Sequence, residues 1–458
     1  MPSTNKTSSS DQVFQIINRE RRRQRQVIDL IPSENHASPA VHRAVGSVLM
    51  HKYAEGYPRQ RYYQGNAHAD QVEDICRRRA LETFGLQSHL WGVNVQGYSG
   101  SPANLAVYNA LLRPAETIMA MYLPDGGHLS HGWKFKQFST LVGKIWNIHY
   151  YHVAGDQLTF DYDQLEQEAV QAQPQLIISG GTAYPRQIDH YRMGRIAKRV
   201  GAYYLADISH EAGLIAAGVN AAPFRYADVV MTTTHKTLRG PRGALIFGRR
   251  RSRIKPEVDV AYQIDRSIFP GIQGGPHLHT IAGVAVALRE AQRPAFRRYA
   301  QQVLDNTQVM AREFKRAGYR LISGGSDKHY VLVDVHSHGV EAWLAAWALE
   351  YAGIVLNRNT IPNESGSPYY PSGVRLGAPV VTTRGMKTAD IEQVMEWLLD
   401  GLEYSRRWQL PGGGQGNQRR QRRAYISQFL SELPRDRHLN KLRRQVTVFA
   451  KQFPVFSW

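Results

Sequence analysis

Residues 232–243 read TTTHKTLRGPRG and follow the apolar run ADVVM (227–231). Lys236 therefore arrives at the end of a buried strand, just before a turn rich in Gly, Pro and Arg. That is where α/β enzymes keep their reactive groups. Upstream, AYYLADI (202–208) is a second β-run with a single carboxylate, Asp207, near its end. A lone lysine and a lone acid on neighbouring buried strands fit a pyridoxal phosphate site. The lysine would form a Schiff base, and the acid would keep the pyridine nitrogen protonated so that the ring draws electrons.

Working outward, short β-runs alternate with helical segments between about residues 90 and 250: VNVQ, TIMAM, QLIISGG, AYYLADI, DVVMTTT and ALIFG. This alternation predicts an α/β fold with a mainly parallel sheet covered by helices on both faces. Apolar positions Val13, Ile16 and Ile17 among charges predict an amphipathic helix over 11–31. A long helical stretch is expected over 277–317. Beyond it, YVLVDVH (330–336) and GVRLGAP (373–379) read as strands of a smaller α+β unit, and LPGGGQGNQ (410–418) as a loop before the last helices. The expected division is an N-terminal arm (1–35), a large domain (36–285) and a small C-terminal domain (286–458).

The 458 residues are 42% hydrophobic, enough for a large core. No apolar stretch approaches the roughly 18 residues that span a bilayer, which speaks against a membrane protein. Cys76 is the only cysteine, so no intrachain disulfide can form and a reducing compartment, the cytoplasm, is expected. The first twelve residues, MPSTNKTSSSDQ, lack an apolar signal core and read as a tail. Lys and Arg number 57 against 38 Asp and Glu, a net charge of +19. The excess lies in runs at 19–25, 248–253, 419–423 and 441–444. Such runs are solvated faces, or they steer an anionic substrate, or they touch nucleic acid nonspecifically. No aromatic residues interleave with them, which disfavours a dedicated single-strand binder.

Three further readings come from the residues themselves. Ser99-Gly100-Ser101 follows VNVQ and opens the helix SPANLAVYNALL, so backbone N–H groups and small hydroxyls offer an anion site. Arg375, flanked by alternating apolar residues in SGVRLG, is a candidate to grip a substrate carboxylate bidentately. Glu55 lies in the Tyr/Gly-rich loop YAEGYPRQRYY beside Tyr53, Tyr62 and Tyr63, where burial against rings would raise its pKa for proton transfer. No metal site is expected.

Blocks of this kind recur along the chain: IDLIPSE (28–34), KYAEGYPRQRYYQG (52–65), VQGYSGSPAN (95–104), LPDGGHLSHG (123–132), DISHEAGL (207–214), TTTHKTLRGPRG, FPGIQGGP (269–276), NRNTIP (357–362) and SGVRLGAPVVTTRG (372–385). In this order and at these separations the chain, from about Asp11 to its end, resembles serine hydroxymethyltransferase. The resemblance implies a fold-type I pyridoxal phosphate enzyme, related in architecture to aspartate aminotransferase, with tetrahydrofolate as co-substrate.

It also implies roles. His128 matches the histidine that stacks on the cofactor ring, while His131 is assigned to structure. Asp207 pairs with the pyridine nitrogen and His210 sits beside it. Thr182, in GGTAYPR, stands where the family places a hydroxyl near the ring oxygen; serine is commoner there. His235 and Arg242 flank Lys236, with His235 shaping the phosphate side. Ser33 assists Arg375. Tyr53, Glu55 and Tyr63 reach across a dimer interface into the partner's site, and Gly274 and Gly275 bring backbone N–H groups to the phosphate from that same partner. The expected assembly is a homodimer or tetramer with shared sites. Leu123, Leu129, Asn359 and Tyr369 are the folate contacts. Gly97 departs from the family's usual proline, which implies a looser loop.

The expected reaction is reversible transfer of the serine hydroxymethyl carbon to tetrahydrofolate, giving glycine and 5,10-methylenetetrahydrofolate. Two alternatives stay open at this point. One keeps the cofactor in a folate-independent aldolase, transaldolase or α-methylserine-type transferase. The other is a catalytically silent RNA-binding scaffold.

Overall fold

The computed structural model describes residues 11–135, 138–412 and 417–456. Most of the expected N-terminal tail (1–10) and the centre of the glycine-rich loop (413–416) lie outside the described residues. Seven strands form the large sheet: β1 (Trp91–Asn94), β2 (Thr117–Met121), β3 (Asn147–Tyr151), β4 (Leu176–Ser179), β5 (Tyr203–Asp207), β6 (Val229–Thr233) and β7 (Ala244–Arg249). Their order across the sheet is β1-β7-β6-β5-β4-β2-β3. All neighbouring pairs run parallel except those of β7, which is antiparallel to both β6 and β1. The sequence reading anticipated this sheet apart from β3, which is an edge strand.

The apolar runs form strands because both faces of the sheet are covered. Successive side chains on a strand point to opposite faces. Met119, Ile177, Tyr204, Ala206, Val230 and Leu245 join one core, and their neighbours Ile118, Ile178, Leu205, Val229, Met231 and Ile246 join another.

The small sheet contains β8 (Arg320–Leu321), β9 (Tyr330–Asp334), β10 (Asn357–Asn359) and β11 (Gly373–Gly377), all antiparallel in the order β8-β9-β11-β10. Arg375 sits on the central strand β11, opposite Leu332 on one side and Asn357 on the other.

Two helical expectations need correction. The stretch 277–317 is two helices, Leu278–Ala291 and Pro294–Arg316, with Pro294 at the first position of the second. Proline lacks the N–H that an uninterrupted helix would need there, yet its fixed φ suits a helix start. The N-terminal helix ends at Gln26, and Ile28–Asp29 then pairs as a short parallel strand with Ile354–Val355. No residue of that first helix is buried, and Val13, Phe14, Ile16 and Ile17 face outward. Among the described residues, no helix is long and apolar enough to cross a membrane.

Candidate active site

Parallel strands deliver their C-terminal ends to one edge of the sheet, and the candidate site gathers there. β5 ends at Asp207, β6 ends at Thr233, and Lys236 follows three residues later. The two strands are in register with Asp207 opposite Met231, so acid and amine come to one place. Both line a cavity of about 330 Å³ with Ser33, Ser99, Gly100, Ser101, His128, Thr182, His210, His235 and Arg242. That volume lies in the range of small-molecule sites. Asn35 Nδ2 donates to the Lys236 carbonyl at 3.0 Å, fixing the lysine backbone. Its amine is 9% exposed as part of the residue and makes no hydrogen bond or ion pair with the described residues. Burial pushes the amine down to about 8, with the Asp207 charge opposing that shift.

Asp207 is held on both oxygens. His131 Nε2 is 3.1 Å and Asn104 Nδ2 3.0 Å from Oδ2, and Ser209 N donates to Oδ1 at 3.0 Å. His131, assigned to structure from the sequence, thus lines the cavity and grips its acid. Asn104 closes the motif VQGYSGSPAN, but nothing in a sequence marks which helix residue will face a strand end more than a hundred positions away. Gly180 serves Asp207 differently. Its φ is +114°, and a Cβ there would lie 2.1 Å from the Asp207 carbonyl oxygen, so only glycine fits.

The anion end is built by Ser99–Ser101. The helix Gly100–Leu111 starts against β6, where a Cβ on Gly100 would meet Thr233 Cγ2 at 2.8 Å. Ser99 caps this helix by position, but its side chain makes no capping hydrogen bond, which leaves the hydroxyl and the first N–H groups, at residues that line the cavity, available to an anion. The loop carrying Gly97 is pinned. Gly97 O accepts from Ala244 N at 3.0 Å, Gln273 Nε2 donates to Gln96 O at 2.8 Å, and Tyr98 N donates to Gln273 Oε1 at 3.2 Å.

Three histidines around the cavity are held neutral by burial. His128 is pushed down to about 4, His235 to about 3, and His210 well below its ordinary value. Neighbouring positive groups add to this, His131 for His128 and Lys236 for the other two. Beside the histidines stand the Asp207 carboxylate, the Lys236 amine and the guanidinium groups of Arg242 and Arg375, a net positive balance suited to anionic ligands.

Arg375 stands behind Thr182. Its Nη1 donates to the Thr182 carbonyl and, at 2.8 Å, to the Thr182 hydroxyl; Nη2 donates to Asn357 Oδ1 at 3.0 Å. Its Nε is buried without a partner among the described residues. Burial brings the guanidinium down to about 10, still charged at neutral pH.

The remaining expected residues do not reach this cavity within one chain. Tyr53, Glu55 and Tyr63 form a second cluster with Gly274 and Gly275: Cβ atoms on those glycines would lie 3.0 Å from Glu55 Oε1 and 3.2 Å from Tyr53 Cζ. Tyr53 is 56% and Tyr62 79% exposed, and Glu55 is half-buried in the single chain rather than enclosed by the rings. The Glu55 charge beside Tyr63 raises that phenol above its ordinary value. Leu123, Leu129, Asn359 and Tyr369 lie outside the cavity lining too. Leu129 and Tyr369 are exposed, and Asn359 Nδ2 donates to the Thr360 carbonyl at 2.7 Å.

The residues that do meet suit a phosphorylated pyridine aldehyde. They provide an unpaired buried amine, an ionised buried acid and a helix start with a free serine hydroxyl. Comparison with known proteins agrees. The family model described as "Serine hydroxymethyltransferase" matches residues 7–398. Similar proteins include the cytosolic serine hydroxymethyltransferase of Candida glabrata, 42% identical over 463 residues, covering 99% of this chain and 97% of that protein. The cytosolic enzyme of Saccharomyces cerevisiae is 47% identical over 406 residues, covering 87% and 86%. The mitochondrial enzyme of Schizosaccharomyces pombe is 43% identical over 452 residues, covering 96% and 91%.

Proposed function

This chain belongs to the serine hydroxymethyltransferase family, and on that premise we propose how its own residues carry out the family's reaction. The reaction is the reversible conversion of L-serine and tetrahydrofolate to glycine and 5,10-methylenetetrahydrofolate. Pyridoxal phosphate, when bound, supplies an electron sink for the pair left on Cα as the Cα–Cβ bond breaks.

Lys236 holds the cofactor aldehyde, and its pKa near 8 leaves a useful fraction of neutral amine at neutral pH. Asp207 would keep a proton on the pyridine nitrogen, and His128 would help to hold the ring. Ser99, Gly100, Ser101 and His235 receive the phosphate. Thr182 and His210, 3.3 Å apart in the cavity lining, would offer polar groups to the ring oxygen. Arg375, assisted by Ser33, binds the serine carboxylate and so orients Cα. Leu123, Leu129, Asn359 and Tyr369 form the folate end.

Glu55 moves the proton of the serine hydroxyl, and Tyr53 and Tyr63 complete the site with Gly274 and Gly275, all from a second copy of the chain. The exposed Tyr53/Tyr62/Tyr63 cluster supports this arrangement, as does the outward apolar stripe of the first helix. The protein is then a homodimer or a larger assembly of dimers. The expected division at residues 35 and 285 is consistent with the large sheet lying within 91–249 and the small one within 320–377, although the arm's strand pairs with the C-terminal part. The cytoplasmic assignment follows the relatives named cytosolic.

The observation that carries the reading is the shared cavity of Lys236 and Asp207. Serine labelled at Cβ tests it. Label should pass to the folate, and glycine should form, only when tetrahydrofolate is present. Equal glycine formation without the folate would sink the hydroxymethyl-transfer reading.

A further inference from the structure

Behind Thr182, buried polar side chains lead away from the cavity in a line. Arg375 Nη1 donates to Thr182 Oγ1 at 2.8 Å, Thr182 Oγ1 lies 3.3 Å from His210 Nε2, and His210 Nδ1 lies 3.3 Å from His329 Nε2. The two imidazoles stack with centroids 5.4 Å apart, and Tyr330 closes both edge-on. The far nitrogen, His329 Nδ1, is buried without a hydrogen-bond partner among the described residues, and the backbone of Pro32 lies close enough to the imidazole to favour its protonated form. Proline has no N–H, so that backbone can only accept.

Next to His329, the Lys328 side chain is 2% exposed and its Nζ is 3.2 Å from Oε1 of Glu211, which is 6% exposed. Asn220 Nδ2 donates to the other Glu211 oxygen at 3.3 Å. This buried pair clamps the start of β9 onto the segment that carries Asp207 and His210, holding the two histidines in contact.

Counting protons gives the line a direction. Both imidazoles are neutral because burial pushes them well below their ordinary range, and a neutral imidazole donates from one nitrogen and accepts at the other. Suppose His210 donated from Nε2. Thr182 Oγ1 would then accept from two sides with no taker for its own proton, and His329, its one N–H spent on His210, would have none for the Pro32 backbone. The opposite direction gives every proton a taker. Thr182 donates to His210 Nε2, His210 Nδ1 donates to His329 Nε2, and His329 keeps an N–H on Nδ1 for the nearby Pro32 backbone, one residue from Ser33.

We propose that His329 is a positioning residue for the substrate carboxylate. By accepting from His210 it fixes the tautomer in which Thr182 donates to His210 and turns its lone pairs to Arg375 Nη1, so the guanidinium is held in place and its Nε, unpartnered among the described residues, is left for the carboxylate. The proposal rests on the reading of Arg375 as the carboxylate holder.

The first test needs no substitution at His329. In protein carrying 15N-histidine, with His210→Asn used to identify the signals, His210 should bear its proton on Nδ1; a proton on Nε2 overturns the proposal. The second test is kinetic. His329→Phe keeps the stacked ring but cannot accept, and it should raise KM for serine and weaken glycine binding about tenfold, with kcat falling less than about threefold. His329→Gln, which retains an acceptor, should recover most of that loss. Binding of 2-aminoethanol, which is serine without its carboxylate, should be unaltered in His329→Phe. Unchanged glycine affinity in His329→Phe, alongside weakened affinity in Arg375→Lys, overturns the role of His329 and leaves that of Arg375 standing. Unchanged glycine affinity in Arg375→Lys overturns the carboxylate reading and the proposal with it.

Discussion

His131 Nε2 lies 3.1 Å from Asp207 Oδ2, with both side chains nearly sealed from solvent. Burial alone would raise the Asp207 carboxyl, but the hydrogen bond and charge of His131 outweigh it and hold the acid well below the usual carboxylate range. Asp207 therefore remains ionised across the neutral range, as an acid that keeps a proton on a pyridine nitrogen must. Asp207→Asn is expected to cut kcat by roughly a hundredfold or more, and His131→Phe by about tenfold, with weaker pyridoxal phosphate binding in both. Cofactor titration followed by absorbance, with kcat from the same preparations, checks this. A His131→Phe protein matching the parent in both quantities would show that Asn104 and Ser209 suffice.

Lys236 gives a pH prediction whose sign follows from its depressed pKa. In the cofactor-free protein the amine titrates near 8 rather than near 10.5. The unfolded chain then binds more protons between those two values, so stability should rise with pH across that window. Recombination with pyridoxal phosphate should also accelerate as pH climbs through about 8, because the neutral amine is the nucleophile. Denaturant melts and recombination rates, each compared with Lys236→Met, check both trends. A rise in stability that survives in Lys236→Met would assign the titration to another group.

The large sheet could be read from the sequence because its strands are buried on both faces and appear as apolar runs. β3, NIHYY, escaped because it is the edge strand and most of its residues keep some exposure; its polar Asn147 and His149 break the run. The break at Pro294 was hidden because helical spacing continues on both sides of it. Asp207 and Arg375 stood out as charges inside apolar strands, and Lys236 as one just beyond the end of another. His131, Asn104 and His329 did not, since each acts by touching a residue about 75 to 120 positions away, and a lone histidine before a strand such as YVLVD looks like core. The separation of the Glu55 cluster from the cavity is a matter of tertiary placement that no local pattern encodes.

That separation predicts complementation between two inactive chains. Lys236→Ala and Glu55→Gln should each be inactive alone. If Glu55 serves the partner's cavity, a mixed dimer pairs one doubly defective site with one intact site, and activity should return when the two proteins are co-refolded. If Glu55 served its own chain, each site in the mixed dimer would carry one defect and the mixture would stay dead. Titrating one variant against a fixed amount of the other separates these outcomes without any structural assumption.

The loop that carries Glu55 hangs on one buried guanidinium, and this sets the largest expected loss of stability. The Arg61 side chain is 3% exposed and that of Glu73 1%. Arg61 Nη2 donates to Glu73 Oε2 at 2.7 Å, Nε to Asp70 Oδ1 at 2.9 Å, and Nη1 to the carbonyls of Ala54 and Gly56 on either side of Glu55. Gln96 Nε2 adds bonds to Gly56 O and to Glu73. Arg61→Met would leave the buried Glu73 carboxylate with Gln96 and only the distant Arg77, at 3.9 Å, and the Ala54 carbonyl unbonded, at a cost of about 3–5 kcal/mol. Because burial raises the Glu73 carboxyl already, Glu73 should take up a proton in that variant, and the destabilisation should shrink as pH falls. Adding Glu73→Gln to Arg61→Met removes the orphaned charge and should recover much of the loss in denaturant melts. The double variant should nevertheless stay slow, because the Ala54 carbonyl beside Glu55 is no longer held and Gly56 keeps only its bond from Gln96. Recovery of stability with full recovery of kcat would mean that the loop keeps its shape without Arg61.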